Sequence, residues 1–150
     1  MKGFNFKLDA LLKLREFNEQ KVKTQVGVVL KEINRIEEKI NEIDKSIRET
    51  YQSQEELMKK PSDAHMLTFF PFYLKSRKDD LKIQQNLLEK SNEKYTELLN
   101  ELKQARGEVK VLDNMKGRKK KEFVKKKNKK ESEEIEDILN LRRLLKQSES

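Results

Sequence analysis

The sequence predicts an all-α fold in which two long helices close on each other as an antiparallel coiled-coil hairpin, the second helix overhanging the first. Three observations carry that expectation. Of the 150 residues, 41% are charged and only 34% hydrophobic, too little apolar material for a thick globular core but enough for a narrow seam. Four Gly and two Pro leave few breakers to divide the chain into short elements. The apolar residues recur at alternating spacings of four and three in two separate runs, which is the 3.5-residue period of a coiled coil.

The first run is Val22, Val26, Val29, Ile33, Ile36, Ile40, Ile43 and Ile47. Extended backward it meets Glu19, Arg15, Leu12 and Leu8, and forward Thr50, Gln54 and Leu57, so helix 1 is expected over about 6–59. A turn is expected over about 60–64. In Lys59-Lys60-Pro61-Ser62-Asp63 the lysines suit a helix C-terminus, Pro61 cannot continue the helix, and Ser62 or Asp63 can cap the next one. Helix 2 is expected over about 65–145, with 64–71 either a short helical turn or the first turn of helix 2 kinked at Pro71. Its seam reads Leu74, Arg77, Leu81, Gln84, Leu88, Ser91, Tyr95, Leu98, Leu102, Ala105, Val109 and Leu112. A short turn lets two such stripes cover each other only antiparallel, with Ile40 near Leu88 and Val26 near Leu98 or Leu102. The polar seam residues Arg15, Glu19, Arg77, Gln84 and Ser91 read as register-setting positions. Beyond Leu112 the same positions become Lys116, Lys119, Phe123, Lys126 and Lys130, where apolar pairing is expected to lapse. An apolar face resumes only at Ile135, Ile138, Leu139, Leu141, Leu144 and Leu145. The whole of 1–150 is thus read as one coiled-coil domain.

Catalysis finds no support in the residue inventory. There is one His, His65, and no Cys, and there is no glycine-rich phosphate loop. The carboxylates alternate with lysines along solvated faces, without the dry concavity that tunes catalytic groups. No metal site, no cofactor and no small-molecule ligand is implied. The absence of Cys fits a reducing compartment, and no segment has the apolar length of a signal peptide or a membrane span, so the expectation is a cytoplasmic protein.

Two segments stand out as candidate partner surfaces. Met66, Leu67, Phe69, Phe70, Phe72 and Tyr73 cluster aromatic and aliphatic bulk beside the turn, where they read equally as a plug closing the hairpin or as an anchor for a partner. The run from Lys116 to Lys130 holds ten Lys/Arg against Glu122 alone. It therefore contributes +9 to a chain whose net charge is +8, leaving −1 elsewhere. Lys116, Lys119, Lys120, Lys121, Lys125, Lys126 and Lys127 are its candidate contacts. The run admits three readings: a solvated overhang, a phosphate-binding stripe for nucleic acid, or a docking surface for an acidic protein. Only Phe123 is interleaved, which is poor for stacking on bases. The acidic Glu131, Glu133, Glu134, Glu136 and Asp137 that follow would repel a long duplex.

The opening Phe4-Asn5-Phe6-Lys7-Leu8-Asp9-Ala10-Leu11-Leu12-Lys13-Leu14-Arg15-Glu16 resembles that of the flagellar export protein FliJ family. Length, the two heptad arms, the aromatic segment ending in Tyr73-Leu74 and the Lys/Glu-rich C-terminal arm resemble it too. The acidic stretch 131–137 is similar only in character to the family's C-terminal signature. The resemblance implies a non-enzymatic stalk like the γ-subunit coiled coil of rotary ATPases. Such a stalk sits in the central hole of the hexameric export ATPase FliI and touches the export gate FlhA, with export chaperones as further partners; on charge and position the basic residues are the expected contacts with the ATPase and the aromatic segment the expected contact with the gate. It would lie at the cytoplasmic face of the membrane export apparatus, touching the membrane only through partners, and would serve type III secretion and motility. A basic coiled-coil protein that binds nucleic acid is the alternative, and further back stand a virulence-type secretion stalk and a fragment of a cytoskeletal rod.

Overall fold

The computed structural model describes residues 3–149, except for the side chains of 61–64. It is 94% helical, with α1 over Asp9–Met58, a 3-10 helix over Pro61–Thr68 and α2 over Phe69–Glu149. Among the described residues there is no strand, and α1 and α2 pack against each other as a hairpin. None of the described helices is long and apolar enough to cross a membrane.

The heptad reading of α1 is matched residue by residue. From Leu12 to Leu57 every position of the alternation is buried or half-buried, Arg15, Glu19, Thr50 and Gln54 included, and of the residues between them only Ser46 is covered at all. Neighbouring apolar residues off the stripe, such as Val28 and Leu30, are exposed. Burial therefore follows the 3.5-residue period and not hydrophobicity alone. Thr50 is polar within the stripe, and its hydroxyl donates to the Ser46 carbonyl at 2.7 Å, which removes the cost of burying it.

Compactness divides the chain into two units. Met1–Glu19 with Gln104–Ser150 form one, and Gln20–Lys103 form the other. In the first, Leu12 packs with Val109 and Leu112. In the second, Val29, Ile33 and Leu98 form a cluster joined by Val26, Leu88 and Tyr95. Val26 thus lies against the Leu98 cluster, whereas Leu88 packs on the cluster containing Val29 and Ile33, a full heptad from the expected Ile40.

The helix ends depart from the expected bounds for local reasons. α1 starts at Asp9, whose N–H is held by the Phe6 carbonyl at 3.1 Å, and Asp9 puts a carboxylate in the first turn, where the helix dipole favours one. Residues 3–8 form an arm instead of a helix. At the other end Lys59 and Lys60 donate to Glu56 and Leu57 in tightened i to i−3 turns. Lys60 is then extended (φ −114, ψ 99), as the residue preceding a proline prefers. The expected caps Ser62 and Asp63 lie outside the described side chains. Pro71 is the third residue of α2, so the N–H it lacks is one that a first turn leaves unpaired in any case.

A pair of alanine substitutions separates stripe from composition. Ile36→Ala should destabilise the chain by about 2–4 kcal/mol, while Leu30→Ala, equally apolar but exposed, should cost less than about 1 kcal/mol. Urea unfolding of the two variants measures both.

Candidate partner-binding surfaces

In unit 1 the residues before α1 cover a stretch of α2 that the heptads left polar. Phe6 is buried, and the Phe4 ring meets Phe123 with centroids 5.7 Å apart. Phe4, Phe6, Leu8, Met115 and Phe123 line an open groove of about 670 Å³, rimmed by Lys7, Lys119, Glu122 and Lys126. Apolar pairing therefore continues past Leu112 to Phe123, contrary to the lapse the seam positions suggest, because the arm supplies two aromatics from outside the heptads. The overhang starts later. The signal was present in the sequence as Phe4 and Phe6, but their partner was not legible, since no repeat links them to Met115 or Phe123.

Among the described residues the same unit holds three ion pairs between its helices. Lys116 Nζ donates to Asp9 Oδ1 at 2.9 Å, Arg15 Nη1 to Glu108 Oε2 at 3.0 Å, and Arg106 Nε lies 3.5 Å from Glu19 Oε1. The seam residues Arg15 and Glu19 thus reach charges across the helix pair, where only one register satisfies them. Each pair is partly solvated and contributes modestly, about 0.2–1 kcal/mol for pairs of the exposed kind. Lys116, one of the candidate contacts, is engaged within the fold.

The other candidate lysines are differently placed. Lys119, Lys120, Lys121, Lys125 and Lys126 are exposed, and Lys127 is half-buried. Lys119 lies 3.9 Å from Glu122, whereas Lys120, Lys121, Lys125, Lys126 and Lys127 have no carboxylate partner among the described residues. Their charges stand uncompensated around α2 in unit 1, which suits a surrounding acidic surface and not a fold contact.

In unit 2 the aromatic segment splits into two roles. Phe70 is only 8% exposed and, with buried Leu74, closes the helix pair. Tyr73 is half-buried, its hydroxyl 2.9 Å from Ser46 Oγ, its ring stacked on Phe69 at 5.6 Å and covered by the Arg77 guanidinium at 5.9 Å. Arg77 also bonds Asp80. By contrast Phe72 is 78% exposed, with Phe69 and Met66 exposed beside it and Leu67 half-buried. Plug and anchor are therefore both present, carried by different residues. Helical spacing separates them: Phe70, Tyr73, Leu74 and Arg77 follow the stripe, and Phe69 and Phe72 fall off it. His65 is exposed, and among the described residues no group of three His, Cys, Asp or Glu converges as a metal site would require.

The Asp9–Lys116 pair sets a pH window for the arm. The hydrogen bond from Lys116 holds the Asp9 carboxyl below its ordinary value, and the same bond holds the Lys116 ammonium above its own. A depressed carboxyl contributes stability above its unfolded pKa and loses it as pH falls through the folded one; a raised ammonium contributes below its unfolded pKa and loses it as pH rises through the folded one. NMR shifts of the Phe4 and Phe123 rings should stay constant between about pH 5 and pH 9 and move outside that range. In Asp9→Asn the acid-side movement should vanish.

The sequence profile of the flagellar FliJ protein matches residues 4–148, nearly the entire chain. No match was found among curated proteins or among solved structures. The arm at Phe4, the heptads of both helices, the aromatic segment and the basic run all fall within the matched residues, and the chain belongs to the FliJ family of non-catalytic flagellar protein export components.

Proposed function

We propose that this protein is the coiled-coil stalk of the flagellar export ATPase, binding the FliI hexamer through unit 1 and the export gate FlhA through the exposed aromatics of unit 2. The observation that carries the reading is the set of lysines at 120, 121, 125, 126 and 127, which lack carboxylate partners among the described residues. A long-range positive field of this kind steers association with an acidic surface, such as the inner wall of a ring, and orients the complex. Family membership supports the choice of an export ATPase as the ring. The stalk favours ring assembly if it binds the hexamer better than free subunits, since a ligand shifts an equilibrium only by its differential affinity. For the gate, Phe72 and Met66 offer an exposed apolar anchor, flanked by the exposed side of Phe69, whose ring also stacks on Tyr73. Export chaperones are further candidates for these exposed surfaces.

Two variants test the two contacts. Replacing Lys120, Lys121, Lys125, Lys126 and Lys127 by Gln should leave the helix content unchanged, weaken FliI binding about tenfold at low salt and flatten its salt dependence. Full-strength binding with unchanged salt dependence would reduce the set to solvated surface. Phe72→Ala should cost about 2 kcal/mol of FlhA affinity at unchanged melting temperature, whereas Phe70→Ala should cost about 3 kcal/mol of fold stability. Wild-type gate binding by a stable Phe72→Ala chain would remove the anchor from the account.

A further inference from the structure

The groove of unit 1 has apolar walls and a basic rim, and each narrows what can enter it. The walls are only partly covered by the chain itself. Phe4, Met115 and Phe123 are half-buried, Leu8 keeps 38% of its surface in water, and Phe6 alone is buried. At about 670 Å³ the space falls within the range of about 300–1,000 Å³ common to binding clefts. On the rim, Lys7 stands on the arm and Lys119 and Lys126 on α2, three lysines against the one carboxylate of Glu122, which lies 3.9 Å from Lys119. Lys7 and Lys126 are exposed and have no carboxylate partner among the described residues. An occupant that satisfies walls and rim together is apolar at its centre and acidic at its edges.

The spacing on α2 selects the form of that occupant. Met115, Lys119, Phe123 and Lys126 follow one another at four, four and three residues, so they share one helix face. Lys119 and Lys126 are one heptad apart, about 10 Å along the axis, with Phe123 between them. An extended peptide covers that distance in about three residues, which puts the two matching side chains on opposite faces. A helix laid beside α2 keeps them on one face. Carboxylates at i and i+7 then stand level with the two lysines, and aliphatic residues at i+3 and i+4 stand level with Phe123. The pattern reads the same in both chain directions.

We propose that the groove receives an acidic amphipathic helix of a partner protein, with aliphatic side chains between Phe4, Met115 and Phe123 and carboxylates on Lys7, Lys119 and Lys126. For the partner's identity the proposal rests on the reading of unit 1 as the ATPase contact, and it adds that this contact is seated. A seated apolar residue fixes position along α2, which a field from lysines around the helix does not.

The test uses the full chain and a synthetic helical peptide that repeats Glu at i and i+7 with Leu at i+3 and i+4. Adding the peptide should shift the NMR signals of the Phe4 and Phe123 rings and the Met115 methyl to saturation. Peptides with Lys in place of Glu, or Ala in place of Leu, should bind at least about tenfold more weakly. In a Lys7→Glu, Lys126→Glu chain the preference should turn to the lysine peptide, with helix content unchanged. No saturable shift, equal binding of the three peptides, or shifts that grow with chain concentration before peptide is added, as a second copy in the groove would give, each overturns the proposal. FliI binding separates it from the reading on which it rests. A Lys7→Glu, Met115→Gln chain keeps all five unpaired lysines and should bind FliI about tenfold more weakly. Wild-type FliI affinity in that chain, with affinity lost in the five-lysine variant, overturns the groove and leaves the ATPase reading standing. Peptide binding by a wild-type chain that does not bind FliI upholds the groove and removes the ATPase reading.

Discussion

A helix that is charged over most of its surface has one way to gain stability beyond its own hydrogen bonds, which is to hide its narrow apolar stripe against another stripe of the same period. In this chain both stripes lie on one polypeptide, and everything else follows from their meeting. The 3.5-residue spacing keeps Leu12 through Leu57 on one side of α1. The break at Lys60-Pro61 lets α2 return with a stripe of its own. Side chains off the stripes are left free, and the exposed aromatic Phe72 is one of them, for the same geometric reason that Ile36 and Leu102 are buried. Lys126 falls on the stripe's own period and is exposed because it lies beyond the last apolar pairing, at Phe123.

Apolar stripes alone leave register loosely fixed, because shifting one helix by a heptad restores most contacts. The polar intrusions remove that freedom. Arg15 finds Glu108, Glu19 finds Arg106 and Asp9 finds Lys116, all in unit 1, and in unit 2 Ser46 meets the Tyr73 hydroxyl. Each is worth little by itself in a partly solvated setting. Together they distinguish one alignment from its neighbours, which is the attested use of polar seam residues. The arm adds a further check, since Phe4 reaches Phe123 only when the helices are in register.

How much of this was legible in the sequence depended on whether a feature was periodic. The heptads gave helix identity, the stripe and the antiparallel sense, because period is a local property that burial merely follows. Local chemistry at Pro61 placed the turn and allowed a short helical turn over 64–71, but its 3-10 character and its start at Pro61 were not legible, since tightened turns differ from helix by a hydrogen-bond offset that composition does not encode. Features joining residues far apart without a repeat were hidden. The docking of Phe4 and Phe6 on α2 and the engagement of Lys116 by Asp9 needed the register to within one turn. The aromatic segment is instructive in another way. Its composition suggested plug and anchor equally, and the answer lay in the helical phase, with Phe70 on the stripe and Phe72 off it. That phase could be counted only once the start of α2 was known.

The central claim is that the two stripes of one chain close on each other. It is tested most directly by introducing cysteine pairs into the chain at Leu12 and Leu112, and separately at Ile33 and Leu98, then oxidising each variant at low concentration. Each pair belongs to one apolar cluster of the folded chain, so closure of the two stripes brings its members to the same stretch of the seam. The account predicts intrachain disulfides in both variants, on chains that remain monomeric in denaturing electrophoresis. Disulfides formed only between chains would contradict it.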